Sequence, residues 1–97
     1  MLIGKVVGSV VATRKDEKLE GHKLLVVQVH NHKNEPQEQY VVAVDSVAAG
    51  PGDVVLYATG SSARQTALTE GRPVDAVIMA VVDSWDLGGE NVYEKWA

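Results

Sequence analysis

At 97 residues, with a formal net charge of -4 and an isoelectric point near 5.2, the chain is bounded to one modest domain. It lacks the clustered Lys and Arg with which proteins neutralise phosphate backbones, so no nucleic-acid partner is expected. The absence of cysteine excludes a disulfide framework, a thiolate zinc site and a cysteine nucleophile, and it suits a reducing cytoplasm.

Eighteen residues are Val and none is Phe. β-Branched side chains favour a pleated surface over the crowded turn of a helix, so the composition predicts a β protein with a little helix. The opening "MLIGKVVGSVVATRK" has no basic segment ahead of it, and Lys5 and Ser9 interrupt its apolar run. It reads as a strand over residues 2–13 and not as a signal peptide. Alternation places Leu2, Gly4, Val6, Gly8, Val10 and Ala12 on one face, with Gly4 and Gly8 where a strand closing a small barrel must bend or admit a neighbour.

A charged loop, "RKDEKLEGH", leads to a second strand, "KLLVVQVH", with Leu25, Val27 and Val29 on one side. "NHKNEPQE" is a turn whose Pro36 has no place in a central ladder. The third strand, "QYVVAV", sets Tyr40, Val42 and Val44 on a common face, and after "DSVAAGPGD" comes a fourth, "DVVLYAT". Ser62 and Gln65 have the spacing of a capping box, which predicts a two-turn helix from Ala63 to Glu70 ended by Gly71 and Pro73. The fifth strand, "AVIMAVVD", is apolar on both sides: Val77, Met79 and Val81 on one, Ala76, Ile78, Ala80 and Val82 on the other. Its run "AVIMAVV" has seven residues, far short of the roughly 20 of a membrane-spanning helix, so no membrane partner is expected. "DLGGE" is a turn and "NVYEKWA" a last short strand. There is no repeat or linker, and residues 1–97 read as a single domain.

Four patterns invite a chemical reading. Gly60, Ser61, Ser62 and Arg64 gather at a helix start, where free N–H groups attract anions. The stretch matches neither a P-loop nor a nucleophile elbow, and a glycine turn followed by a serine cap accounts for Gly60 and Ser62. Arg64 is left over, because a cation in the first helical turn is unfavourable by about 0.3–1 kcal/mol. A hydrolase using Ser61 or Ser62 is therefore the weakest of three readings. His30 and His32 share one side of a strand, with His22 elsewhere, and no third ligand completes a metal site. Asp45, Asp53, Asp75 and Asp83 stand at strand ends, where acids cap turns. Trp85, Trp96, Tyr40, Tyr57 and Tyr93 are too scattered to form a stacking platform for nucleic acid. No catalytic residue, metal or cofactor is expected.

Taken together, "GKVVGSVVAT", "GHKLLVVQV", "VAVDSVAAGPGDVVL", "GSSAR", "PVDAVIMAVVD" and "VYEK", in this order, resemble the EutN/CcmL family of bacterial microcompartment vertex proteins along nearly the whole chain. Ala49 stands where a glycine is expected in the "VGAG" turn, and Ala80 where glycine is frequent in strand five. The resemblance implies an all-β chain, a small five-stranded OB-like closed barrel with one short helix, assembling as a cyclic homopentamer. Such pentamers close the vertices of a cytoplasmic shell otherwise tiled by hexameric proteins. It places Gly60, Ser61, Ser62, Ala63 and Arg64 nearest the five-fold axis. The subunit interface then takes Ile78, Ala80, Val81 and Val82 from strand five, with Val92 and Tyr93 from the last strand. The alternative is an OB-type binding module for an oligonucleotide, oligosaccharide or protein.

Overall fold

The computed structural model describes residues 1–12, 21–60, 63 and 75–96. Five strands close into a barrel: β1 (Leu2–Val10), β2 (Leu24–His30), β3 (Pro36–Asp45), β4 (Val54–Thr59) and β5 (Ala76–Val81), in the order β1-β2-β3-β5-β4. All neighbours are antiparallel except β3 and β5, which run parallel and meet through Val44 with Val77 and Asp45 with Ile78. Two further strands, β6 (Ser84–Leu87) and β7 (Glu90–Glu94), form a separate hairpin. The helix expected over Ala63 to Glu70 lies outside the described residues apart from Ala63, which is fully buried.

Residues paired across a ladder point to the same side of the sheet, so the register identifies the inside of the barrel. Gly4 and Val6 of β1, Leu25 and Val27 of β2, Ala43 of β3, Val55 and Tyr57 of β4, and Ala76 and Ile78 of β5 fill it. Ala49 closes the core from the turn after β3. Val29, Val41 and Val81 pack against it.

Of the three register irregularities in the barrel ladders, two exchange the faces of a strand. In β1 the register shifts between Val6 and Gly8, leaving Val7 without a partner. Beyond it the faces exchange, so Val10 pairs with Leu24 on the outside and no longer shares the side of Gly4 and Val6. In β5, Ile78 lies opposite Tyr57 and Ala80 opposite Leu56, which leaves Met79 as the extra residue. Ile78 and Val81 therefore both face inward, although strict alternation assigns them to opposite sides.

The turns follow from their residues. Asn31 organises the β2–β3 connection: its Oδ1 accepts from the backbone N–H of Lys33 and Glu35, each at 2.9 Å. Pro36 is the first residue of β3, a position where its missing N–H costs little. Asp45 Oδ1 accepts from the N–H of Val47 and Ala49 at 3.1 and 3.2 Å, and Asp53 Oδ2 from that of Gly50 at 2.9 Å, so both acids cap turns as their positions suggest. The residue of the "SVAAG" turn held in the left-handed region is Ala48, at φ 58°, and not its buried neighbour Ala49. Because Ala48 is exposed and a Cβ is unfavourable there, Ala48→Gly is expected to raise stability by about 1 kcal/mol. Chemical denaturation of the two proteins side by side checks this.

Candidate assembly surfaces

Among the described residues, the barrel interior is filled by aliphatic side chains and Tyr57. His30 Nδ1 is 2.8 Å from Asn34 Oδ1, within the turn it helps to shape. His32 is exposed, and among the described residues no three potential metal ligands come together. Among the described residues one buried polar side-chain atom is out of place: the hydroxyl of Tyr57, fully buried in the barrel, has no hydrogen-bond partner. Burial pushes its ionisation above the usual value of 10.0. A buried hydroxyl without a partner has lost its water bonds for nothing, so Tyr57→Phe is expected to stabilise the fold by about 1 kcal/mol at neutral pH. Above pH 10 the unfolded tyrosine ionises while the folded one stays neutral, so the wild type loses stability as pH rises from there. The substitution removes that component, and denaturation series at neutral and alkaline pH measure both effects.

Of the segment expected near a five-fold axis, Gly60 and Ala63 are described, whereas Ser61, Ser62 and Arg64 are not. Gly60 ends β4 in the left-handed region, at φ 63°, and its N–H donates to the carbonyl of Asp75 at 2.9 Å. That bond pins together the two ends of the connection from β4 to β5. Ala63 is buried in a second cluster with Val44, Ala58 and Val77, against which Leu24 and Met79 pack. The outer side of β5 is thus covered at Val77 by the chain itself. Of the strand-five positions read as interface, Ile78 is fully buried in the protomer's own core and Val81 packs against it, while Ala80 and Val82 are half-buried.

The uncovered apolar wall lies elsewhere, on the outside of β1, β2 and β3. Register aligns Val10 with Leu24, Gly8 with Val26 and Val42, and Lys5 with Gln28 and Tyr40 in successive rows across these strands. Tyr40 is 59% exposed and Val42 50%, with Val10 at their margin. A contiguous apolar surface of this kind marks an interaction face, unlike single exposed aliphatics. Its signal in the sequence is "YVVAV", which is apolar at both parities.

A second surface is the β6–β7 hairpin, whose first strand sequence reading missed. Gly88 and Gly89 both have positive φ, as a two-residue hairpin turn requires. Trp85 pairs with Tyr93, their rings 5.2 Å apart, and Leu87 pairs with Glu90 on the same side. Ser84, Asp86, Asn91 and Glu94 occupy the other. The ribbon is therefore amphipathic. Trp85 Nε1 donates to the carbonyl of His32 at 2.9 Å, which anchors the ribbon near the β2–β3 turn, and the N–H of Lys95 donates to the carbonyl of Asp83 at 2.8 Å across its base. Val92, at the bulge, and Tyr93 are half-buried, whereas Leu87 at the tip is exposed.

Comparison with known proteins gives these surfaces a context. Residues 1–83 match the family model described as ethanolamine utilisation protein EutN/carboxysome. The carboxysome shell vertex protein CcmL of Gloeobacter violaceus is 41% identical over 98% of this chain and 95% of its own length, and a solved structure of it superposes with a TM-score of 0.95 over the whole of both chains. The microcompartment shell vertex protein EutN of Salmonella typhimurium is 39% identical over 98% of the chain and 96% of its own. A solved structure of GrpN from Rhodospirillum rubrum, described as a pentameric microcompartment shell protein, is 42% identical with a TM-score of 0.83, covering 90% of this chain and 99% of that one.

Proposed function

Because this chain belongs to the EutN/CcmL family, we infer that it is a structural shell protein that forms pentamers and caps the vertices of a bacterial microcompartment. The observation that carries this reading is similarity that spans barrel and tail together, to relatives that are themselves vertex proteins and to a pentameric structure. Its place is the microcompartment shell inside the cell. The neighbours in that shell are hexameric proteins, and the chain contributes shape in place of a reaction. A sheet of hexagonal tiles is flat, and five-fold units supply the curvature that closes it.

The physical features fit such a role. A barrel of this size has a small core, and burying an apolar outer wall against another copy adds about 25 cal/mol for each Å² removed from water. A surface of one copy meeting a different surface of the next generates a ring when the rotation closes. We place the Gly60 to Arg64 segment at the five-fold axis, and Ala80, Val82, Val92 and Tyr93 at or beside the subunit contact.

Native mass spectrometry is expected to show five copies of the 10.4 kDa chain, and a stable monomer at working concentration overturns the reading. Co-expression with hexameric shell proteins is expected to give closed particles with this chain and open or elongated ones without it.

A further inference from the structure

We propose that His30 and His32 form a two-point chelate for a divalent transition-metal ion, copper(II) most tightly of the first row, where β2 turns towards β3. The site stands on a single protomer, so it goes beyond the pentamer reading and does not depend on it. Both side chains line one cavity of about 210 Å³, walled in part by Ile3 and Leu56. The backbone that carries them is held from several directions. His30 pairs with Ile3 of β1 and with Pro36 of β3, and the carbonyl of His32 accepts the Trp85 indole N–H at 2.9 Å.

Hydrogen bonding prepares His30 as a ligand. Its Nδ1 is 2.8 Å from Asn34 Oδ1, and an amide oxygen can only accept, so Nδ1 carries the hydrogen and Nε2 keeps its lone pair. A metal-binding histidine is oriented in the same way, by an oxygen acceptor on its other ring nitrogen. The turn is braced as well: Asn31 Oδ1 accepts from the N–H of Lys33 and Glu35, and Asn31 Nδ2 donates to Glu35 Oε1 at 2.8 Å. Among the described residues no Lys or Arg lines the cavity, and Met1 lines it with a thioether, a soft donor that copper accepts. A structural zinc site closes its shell with protein ligands, which this pair does not supply. Two imidazoles leave positions open to water, so the ion is exchangeable, and nitrogen-donor affinity along the first row peaks at copper(II).

Trp85 reports on the site, because its indole is hydrogen-bonded to His32. In the full-length chain carrying Trp96→Phe, copper(II) chloride is expected to quench the remaining emission of Trp85 and to saturate at one ion per chain. His32→Ala keeps the carbonyl that anchors Trp85. It and His30→Ala are each expected to raise the copper needed for half-saturation about a hundredfold, because one point of attachment is lost. Asn34→Gly removes the amide yet suits the left-handed backbone at φ 62°, and it raises that concentration about tenfold. His22→Ala leaves it unchanged. Quenching that does not saturate, or that His32→Ala and His22→Ala weaken alike, marks an adventitious ion only and overturns the site. An electron paramagnetic resonance spectrum of the copper-loaded protein with one imidazole nitrogen in place of two overturns the chelate. Native mass spectrometry of the metal-free protein reads the ring separately, so loss of either reading leaves the other standing.

Discussion

Ile78→Asp leaves no folded barrel, whereas Val42→Asp leaves the barrel folded and takes the ring apart. Ile78 is fully buried opposite Tyr57, with Val6, Leu25 and Val55 in the same core. A carboxylate there is either ionised without a partner or protonated with its polar atoms unsatisfied. Either state costs several kcal/mol, against a total stability on the order of 5–15 kcal/mol for a domain. Val42 is half exposed on the outer wall, and its carboxylate stays in water as long as the copy is alone. It is desolvated only when another copy covers it, so the loss falls on assembly. Circular dichroism reads the fold and native mass spectrometry the ring. A folded Ile78→Asp protein places that side chain outside the core, and an intact Val42→Asp pentamer removes the outer wall from the interface.

Gly4→Ala is the second large effect, and its contrast with Gly8→Ala isolates the cause. A Cβ at Gly4 lies 2.5 Å from Val27 Cγ1, 2.7 Å from the carbonyl oxygen of Gln28 and 3.0 Å from Tyr57 Cε1. β1 is held between β2 and β4 at this point, so the backbone has no free direction in which to retreat. Overpacking of this kind costs about 3 kcal/mol, which lowers the melting temperature of a domain this size by roughly 12 °C or more. At Gly8 the nearest atom to an added Cβ is that of Val26 at 3.9 Å, ordinary contact. There Gly8→Ala is neutral or stabilising by about 0.5 kcal/mol, because alanine has fewer unfolded conformations to lose. Equal losses from the two substitutions refute the close approach of β1 and β2 at Gly4.

The positions of five barrel strands, the turn at "NHKNEPQE", the turn-capping roles of Asp45 and Asp53, and the all-β class were legible in residues 1–59 and 75–83 because each depends on neighbours in the chain. β-Branched runs extend locally, and Asn31 and Asp45 bind backbone N–H groups two and four residues on, Asp53 that of Gly50 three residues back. The family resemblance was legible too, since the order of motifs is a property of the linear chain.

Other features depended on which strand lies beside which. Period-two alternation holds only until a residue drops out of the ladder, and Val7 and Met79 each exchange the faces of all that follows in their strand. That is why Val10 lies outside, and why Ile78 and Val81 share the inside. Gly4 and Gly8 look alike in sequence, and their difference arises from Val27 and Tyr57, many residues away. The same holds for the two apolar sides of β5 and β3: the chain covers one outer surface with Ala63 and leaves the other, around Tyr40 and Val42, exposed. Residue order determined what is apolar and where the strands run; packing in three dimensions decided what is hidden, because burial is a relation between segments that pairing alone brings together.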